Sequence, residues 1–234
     1  MTFSSEPVVS VKDLSIYQED RLILDNISFE ISKGEFVYLI GRTGSGKSSL
    51  LKSLYADLPF ENGSINVAGY NLIKTKRSKI PYLRRKIGII FQDFQLLHDR
   101  NISDNLLFVM KATGWKDNAA MKARLSEVLM RVGLGAASFK LPHQLSGGEQ
   151  QRIVIARSLI NEPLILFADE PTGNLDPEVA EEIFNLFKEI NNSGTAVLMA
   201  THNYELINKF PNRILKIKDR VLLDSKDNLE SNSF

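Results

Sequence analysis

The sequence predicts an α/β fold: a phosphate-binding strand–loop–helix core, an antiparallel β subdomain near the N-terminus, and an inserted helical subdomain. Three observations carry that reading. An apolar run, Phe36 to Ile40, leads straight into Gly41-Arg42-Thr43-Gly44-Ser45-Gly46-Lys47-Ser48, which fits the pattern G-x-x-x-x-G-K-[ST]. A second strand-sized run, Leu164 to Ala168, ends in the acids Asp169-Glu170. Between them, from Ser103 to Val132, apolar residues recur at helical spacing.

The elements follow in order. Val8 to Tyr17 and Leu22 to Ile31 alternate or are β-branched, with a turn at Glu19-Asp20. Phe36 to Ile40 is a short buried strand, and Gly46 to Ala56 opens as a helix. Gly63 to Val67 is a further strand, expected to join the N-terminal antiparallel sheet. Ile87 to Phe91 reads as a buried strand. The helical stretch breaks near Gly114, and Met121, Leu125, Val128, Leu129 and Val132 form its apolar stripe. Gly147 to Ile160 is a helix. Leu164 to Ala168 and Ala196 to Ala200 are strands, each followed by a helix. Ile214 to Ile217 and Val221 to Leu223 close the chain as a hairpin, and the polar tail from Asp224 is expected to fray. No internal repeat is evident.

Bulk properties narrow the class. A chain of 234 residues can bury a real core, and one domain over 1–234 is expected, with the helical subdomain at about 93–160. The net charge of +1 points to neither nucleic acid nor membrane. The absence of cysteine excludes disulfides and thiolate-bound metal, and fits a reducing compartment. No apolar run approaches the ~18–20 residues that span a bilayer. Met1 to Pro7 lacks a signal-peptide core. A cytoplasmic location is expected, with membrane contact only through a partner.

Chemistry concentrates at a few places. The glycines at 41, 44 and 46 let the backbone wrap phosphate, while loop amides and the helix start supply positive potential. Lys47 is expected on the β- and γ-phosphates and Ser48 on Mg²⁺. Asp169 is expected to bind that ion, and Glu170 to orient or deprotonate an attacking water. Gln92, Tyr17 and His202 are ambiguous by themselves. Taken alone, Gln92 reads first as an exposed strand-end glutamine, Tyr17 as a sheet tyrosine and His202 as a structural histidine; the alternatives are contacts with Mg²⁺, adenine and the γ-phosphate. His98 and His143 have no neighbours at metal-ligand spacing. The basic stretch Lys74, Lys76, Arg77, Lys79, Arg84, Arg85, Lys86 reads as a solvated surface, with anionic lipid or nucleic acid as alternatives.

Leu145-Ser146-Gly147-Gly148-Glu149-Gln150-Gln151-Arg152 lies between the phosphate loop and Asp169-Glu170. With those two sites in that order, the chain resembles the nucleotide-binding subunits of ATP-binding cassette (ABC) systems, from Tyr17 to about Leu223. The resemblance implies a P-loop NTPase with a RecA-like core, an N-terminal antiparallel β subdomain and an inserted α-helical signature subdomain. It implies ATP and Mg²⁺ as ligands, and a homodimer around two ATP, each held by one protomer's phosphate loop and the other's LSGGEQ segment. ATP contacts are then implied for Tyr17 at the adenine and for Gly41, Arg42, Thr43, Gly44, Ser45, Gly46, Lys47, Ser48 and Ser49. They are implied also for Gln92, Ser146, Gly147, Gly148, Glu149 and Asp176. Glu170, His202, Gln92 and Lys47 would act in catalysis, and Ser48, Gln92 and Asp169 would hold the metal.

The runs Tyr82 to Leu97, Asp99-Arg100, Gln144 to Arg152, Ala168 to Asp176 and Leu198 to His202 resemble the family's cell-division branch. That implies an FtsX-like integral membrane protein as partner. ATP cycles on the inner face of the cell membrane would control cell-wall hydrolases or their adaptors outside. A transport or lipoprotein-release ATPase is the alternative. A soluble protein acting on nucleic acid is not expected, since two fused cassettes or a long coiled-coil insertion are missing. The end of the chain soon after the hairpin suggests no C-terminal regulatory domain and a separate membrane partner. A helix of that partner is expected beside Gln92, near Phe94, Leu96, Leu97 and Phe108.

Overall fold

The computed structural model describes residues 7–227. The remainder of the expected polar N-terminus and frayed tail lies outside the described residues. Two sheets organise the chain. β1 (Val9–Gln18), β2 (Arg21–Ile31), β4 (Asn62–Val67) and the short β5 (Tyr70–Asn71) form an antiparallel sheet in the order β2-β1-β4-β5. β3 (Phe36–Gly41), β6 (Ile87–Ile90), β7 (Ile165–Asp169), β8 (Ala196–Ala200), β9 (Arg213–Lys218) and β10 (Val221–Asp224) form the second, in the order β10-β9-β3-β8-β7-β6. All its neighbours pair in parallel except the terminal β9–β10 hairpin.

Both faces of the mostly parallel sheet are buried, which explains its unbroken apolar strands. Side chains alternate between two cores. Phe36, Tyr38, Ile40, Leu166, Ala168, Val197 and Met199 face the helical side. Val37, Leu39, Ile165, Phe167, Ala196, Leu198 and Ala200 face the antiparallel sheet and α1 (Lys47–Leu54).

The helical region matches its periodicity. α3 (Ile102–Ala112) and α4 (Asn118–Arg131) flank Gly114, and the stripe from Met121 to Val132 is buried. α3 is capped by Asn101 and α4 by Asp117. α5 (Gly147–Leu159) packs between this region and the sheet, and the buried Arg124 holds its C-terminal carbonyls at Leu159 (2.6 Å) and Ile160 (3.0 Å). α6 (Pro177–Asn192) and α7 (Tyr204–Lys209) follow β7 and β8.

One element was not anticipated and one reading needs correction. The basic stretch, a solvated surface as expected, contains α2 (Ile80–Arg85), which buries only Leu83 and therefore shows no period. The tail from Asp224 is ordered through Asp227, because the chain is tied back there. Arg213 donates to both Asp224 oxygens, to Glu35 (2.9 Å) and to the Glu30 carbonyl (2.7 Å). Lys226 also reaches Glu35 (2.8 Å). This cluster binds the hairpin to the start of β3 and the end of β2.

The cluster makes stability acid-sensitive. Burial pushes Glu35 up, but hydrogen bonds from Lys226, the Ser32 amide and Arg213 outweigh it and hold the carboxyl below its ordinary value. Asp224 is likewise held low against burial, by Arg213, the Lys226 amide and the charges of both side chains. Carboxyls with depressed folded values stabilise above their unfolded values, and that stability is lost as pH falls through the folded ones. Urea midpoints should therefore drop below about pH 4. Arg213→Met should lower stability at pH 7 by about 3–5 kcal/mol and flatten that acid limb. An unchanged urea midpoint at pH 7 would remove the cluster from the stabilising interactions.

Candidate active site

The parallel register brings strand ends together. Leu39 pairs with Ala200, and Ala200 pairs with Asp169. Ile90 pairs with Ala168 on the other side. The residues that follow, Gly41, His202, Asp169-Glu170 and Gln92, therefore emerge at one edge, the usual ligand edge of such sheets.

The phosphate loop joins β3 to α1. A Cβ at Gly41 would lie 2.5 Å from Ser45 Oγ and 2.9 Å from the Ile217 carbonyl, so the loop closes only around glycine. Gly46 caps α1 with φ 106°, a left-handed conformation, and its missing side chain leaves the first helical amides open. Ser45 Oγ is buried with no hydrogen-bond partner among the described residues. An orphaned hydroxyl among open amides fits an oxyanion ligand.

Lys47 is buried beneath the loop, donating to the Gly41 carbonyl at 2.9 Å and lying 3.9 Å from Glu170 Oε1. Glu170 follows β7 in a left-handed turn with φ 47°. Its other oxygen meets His202 Nδ1 at 2.8 Å and accepts the His202 amide at 3.3 Å. The Glu170 side chain is 12% exposed and that of His202 67%, so the pair points a buried acid toward an open ring. Burial pushes Asp169 up, and the adjacent Glu170 charge adds to this, against a hydrogen bond from Ser48 and the charges of Lys47 and Lys52. A carboxyl reluctant to ionise alone, beside a hydroxyl, suits a divalent cation. The described residues contain no group of three or more His, Cys, Asp or Glu able to hold a metal, so such an ion would need ligand oxygens as well. Ser49 follows on α1, accepting a bond from Ser53 at its carbonyl.

The LSGGEQ segment begins α5. Ser146 caps the helix: its hydroxyl accepts the Glu149 amide (3.2 Å), and Glu149 accepts the Ser146 amide (2.8 Å). That amide bond is the main reason the Glu149 carboxyl is held low. Glu149, expected as a ligand contact, thus has a capping task within its own chain. Gly147 lies 3.5 Å (by its ideal Cβ) from Leu175, and a Cβ at Gly148 would collide with Val179 at 2.5 Å. The segment is therefore seated on the loop and helix that carry Asp176, which is exposed at the N-cap position of α6, ahead of Pro177, without a side-chain capping bond.

The other expected residues divide. Arg42, Thr43, Gly44 and Ser45 line a cavity of about 210 Å³ with Arg21, Leu22 and Ile23. Tyr17, 38% exposed, pairs with Leu22 across the β1–β2 ladder, beside that cavity but outside its lining. Gln92 is exposed just after β6. A second cavity of about 300 Å³ lies behind its loop, lined in part by Gln95, Leu97, Phe108 and Arg157. Leu96 was expected there, but it is 4% exposed and belongs to the core; the strand-end loop turns it inward. Phe94 packs partly against the same core, toward Gly147.

One residue escaped the sequence reading. Arg157, on α5, donates to the carbonyls of Gln95 (2.6 Å) and Phe94 (3.0 Å). It therefore ties the loop after Gln92 to the helix that starts at Ser146. Its partners lie some sixty positions away, so no local signal points to them.

Comparison with known proteins identifies the family and the fold. The ABC transporter family model matches residues 24–173. The cell division ATP-binding protein FtsE of Streptococcus pneumoniae is 42% identical over 219 residues, covering 93% of this chain and 95% of that protein. FtsE of Bacillus subtilis is 42% identical, covering 90% of this chain and 92% of its own. FtsE of Mycobacterium tuberculosis is 44% identical, covering 84% and 85%. Among solved structures, a dimeric ATP-binding cassette in a post-hydrolysis state with ADP and Pi aligns with TM-score 0.80 and 31% identity, over 92% of this chain and 96% of that one. CbiO1 of Clostridium perfringens, part of the ABC transporter complex cbiONQ, aligns with TM-score 0.84 and 29% identity, over 93% and 87%.

Two substitutions probe the site. Lys47→Ala should abolish nucleotide binding, read by titration with a fluorescent ATP analogue; retained affinity would refute the phosphate-loop assignment. Arg157→Met should leave nucleotide affinity nearly unchanged and lower kcat by about a hundredfold, since the loop it holds shifts by an ångström or so. Equal losses in affinity and kcat would point to general unfolding instead.

Proposed function

Since the chain belongs to the ABC transporter family and is an ABC-type ATPase, we propose that it is the ATP-hydrolysing subunit of a cell-division complex of the FtsEX type. Two copies close head to tail around two ATP. An FtsX-like integral membrane protein carries the resulting motion outward, directly or through adaptors, to peptidoglycan hydrolases. The observation that carries this reading is the 42% identity to a cell division ATP-binding protein over 93% of the chain. The complex would hold the chain on the inner face of the cell membrane. No helix among the described residues is long and apolar enough to cross a membrane, so the partner supplies the crossing.

The contacts described above support the following roles. The loop amides of 41–48, the α1 start and Ser45 Oγ cradle the phosphates, and Lys47 exchanges the Gly41 carbonyl and Glu170 for phosphate oxygens. Ser48, Asp169 and Gln92 would hold Mg²⁺, which supplies Lewis-acid stabilisation of the transferring phosphoryl group. Glu170 orients the attacking water and accepts its proton, and His202, bonded to it at 2.8 Å, fixes that carboxylate and faces the γ-phosphate. Tyr17 stacks on adenine. Ser146, Gly147 and Gly148 present the start of α5 to the nucleotide of the opposite copy, with Asp176 beside it. A phosphate clamped from both sides is dehydrated and strongly stabilised, so hydrolysis releases the dimer. The partner's helix docks against Leu97 and Phe108 in the cavity behind Gln92, and Arg157 passes its motion to α5.

Glu170→Gln should bind ATP, accumulate dimers on a sizing column, and hydrolyse about 10²–10⁴-fold more slowly. Normal turnover would exclude Glu170 as the catalytic carboxylate. Purified from detergent-solubilised membranes with ATP, this variant should bring down a four-span FtsX-like protein, identified by mass spectrometry. Leu97→Asp or Phe108→Asp should lose that protein while isolated ATPase activity persists. Recovery of a lipoprotein-release or efflux permease would move the assignment to transport, and no membrane protein at all would overturn the complex.

A further inference from the structure

The basic stretch at 74–86 has no task in the site. It holds seven of the chain's 29 Lys and Arg and none of its 28 Asp and Glu, leaving 22 cations against 28 acids elsewhere. A near-neutral chain thus hides a segregated charge. The ridge is built on α2 and the turn before it, with Leu83 buried as its anchor.

Of its seven cations, only Arg84 has a carboxylate partner among the described residues. Arg84 reaches Asp57 at 3.3 Å. Lys79 and Arg85 lie against the Tyr82 ring at 5.2 and 4.9 Å, and Lys86 against Tyr70 at 5.2 Å. Lys74, Lys76 and Arg77 are exposed and have no carboxylate partner among the described residues. Two large apolar side chains stand among them, Ile73 at 60% and Tyr82 at 47% exposure. Cations interleaved with an exposed tyrosine and an aliphatic residue suit the headgroup region of a bilayer. Nucleic acid fits less well, because Lys79 and Arg85 already occupy the Tyr82 ring and a base would have to displace them.

The ridge also faces the right way. Arg77, Ile80, Pro81 and Arg84 line a groove of about 1050 Å³, and Arg84 and Thr113 line both this groove and the cavity assigned above to the membrane partner. The ridge and the partner cavity share one side of the molecule.

We propose that the ridge at 74–86 is a docking surface for the anionic lipid headgroups of the membrane beside the partner. Its orientation rests on the partner reading; its affinity for lipid does not. Each cation near an anionic leaflet strengthens binding about fivefold. The triple variant Lys74→Gln/Lys76→Gln/Arg77→Gln should therefore weaken binding about a hundredfold.

The test is flotation of the full chain, without the partner, on phosphatidylcholine vesicles with and without about one-third phosphatidylglycerol. Binding should require the anionic lipid, fade as salt rises from about 0.05 to 0.5 M, and disappear in the triple variant, whose solution ATPase rate stays unchanged. Absence of vesicle binding, or equal binding to neutral vesicles, would overturn the proposal. So would a triple variant that floats like the parent chain. Loss of the detergent-purified membrane partner from the triple variant, with no vesicle binding by the parent, would reassign the ridge to an acidic segment of that partner and leave the ATPase reading intact.

Discussion

The site depends on the register of three parallel strands. Leu39, Ala200 and Asp169 stand side by side across β3, β8 and β7, so a glycine loop, a histidine and two acids leave the sheet at the same level. Each strand also sorts its side chains into two cores. A one-residue slip would reverse both cores and separate the acids from the loop. Packing on the two faces of the sheet thereby fixes which residues meet at its edge.

Much of this was legible because it is written in consecutive residues. The phosphate loop needs glycines at fixed offsets, and a Cβ at Gly41 or Gly46 would meet neighbouring atoms. The strands show as apolar runs because both faces are buried. The helices show their stripe, as from Met121 to Val132. What stayed hidden depends on distant partners or on direction. Arg157 spends its guanidinium on carbonyls across the helical region. Asp224 reads as the start of a loose tail, but Arg213, eleven positions back in sequence, holds it. Leu96 and Leu97 are alike in sequence, yet one enters the core and the other lines a cavity. The helix α2 buries one residue, too few for a period.

α5 links the two halves of the proposed machine. Its thirteen residues make a rod of roughly 20 Å. Ser146 starts it, and Arg157 near its other end grips the loop behind Gln92. Arg124 secures the final carbonyls. Both arginine grips lie at the C-terminal end of α5, so in the proposed complex a displacement of the loop there is carried along the rod to the Ser146 end. In the proposed complex, α5 is the element that connects the membrane partner to the nucleotide of the opposite copy.

The left-handed turn at Glu170 has a consequence of a different kind. A non-glycine residue at φ 47° carries strain of order 1–3 kcal/mol. Glycine or asparagine would rest there more comfortably. Losing the acid would also spare the fold a carboxylate crowded against Asp169. If Glu170 has the catalytic role proposed above, selection for solubility or heat tolerance alone drifts toward inactive versions of the enzyme. A stability screen would then count as improvement the very replacements that the proposed mechanism cannot tolerate.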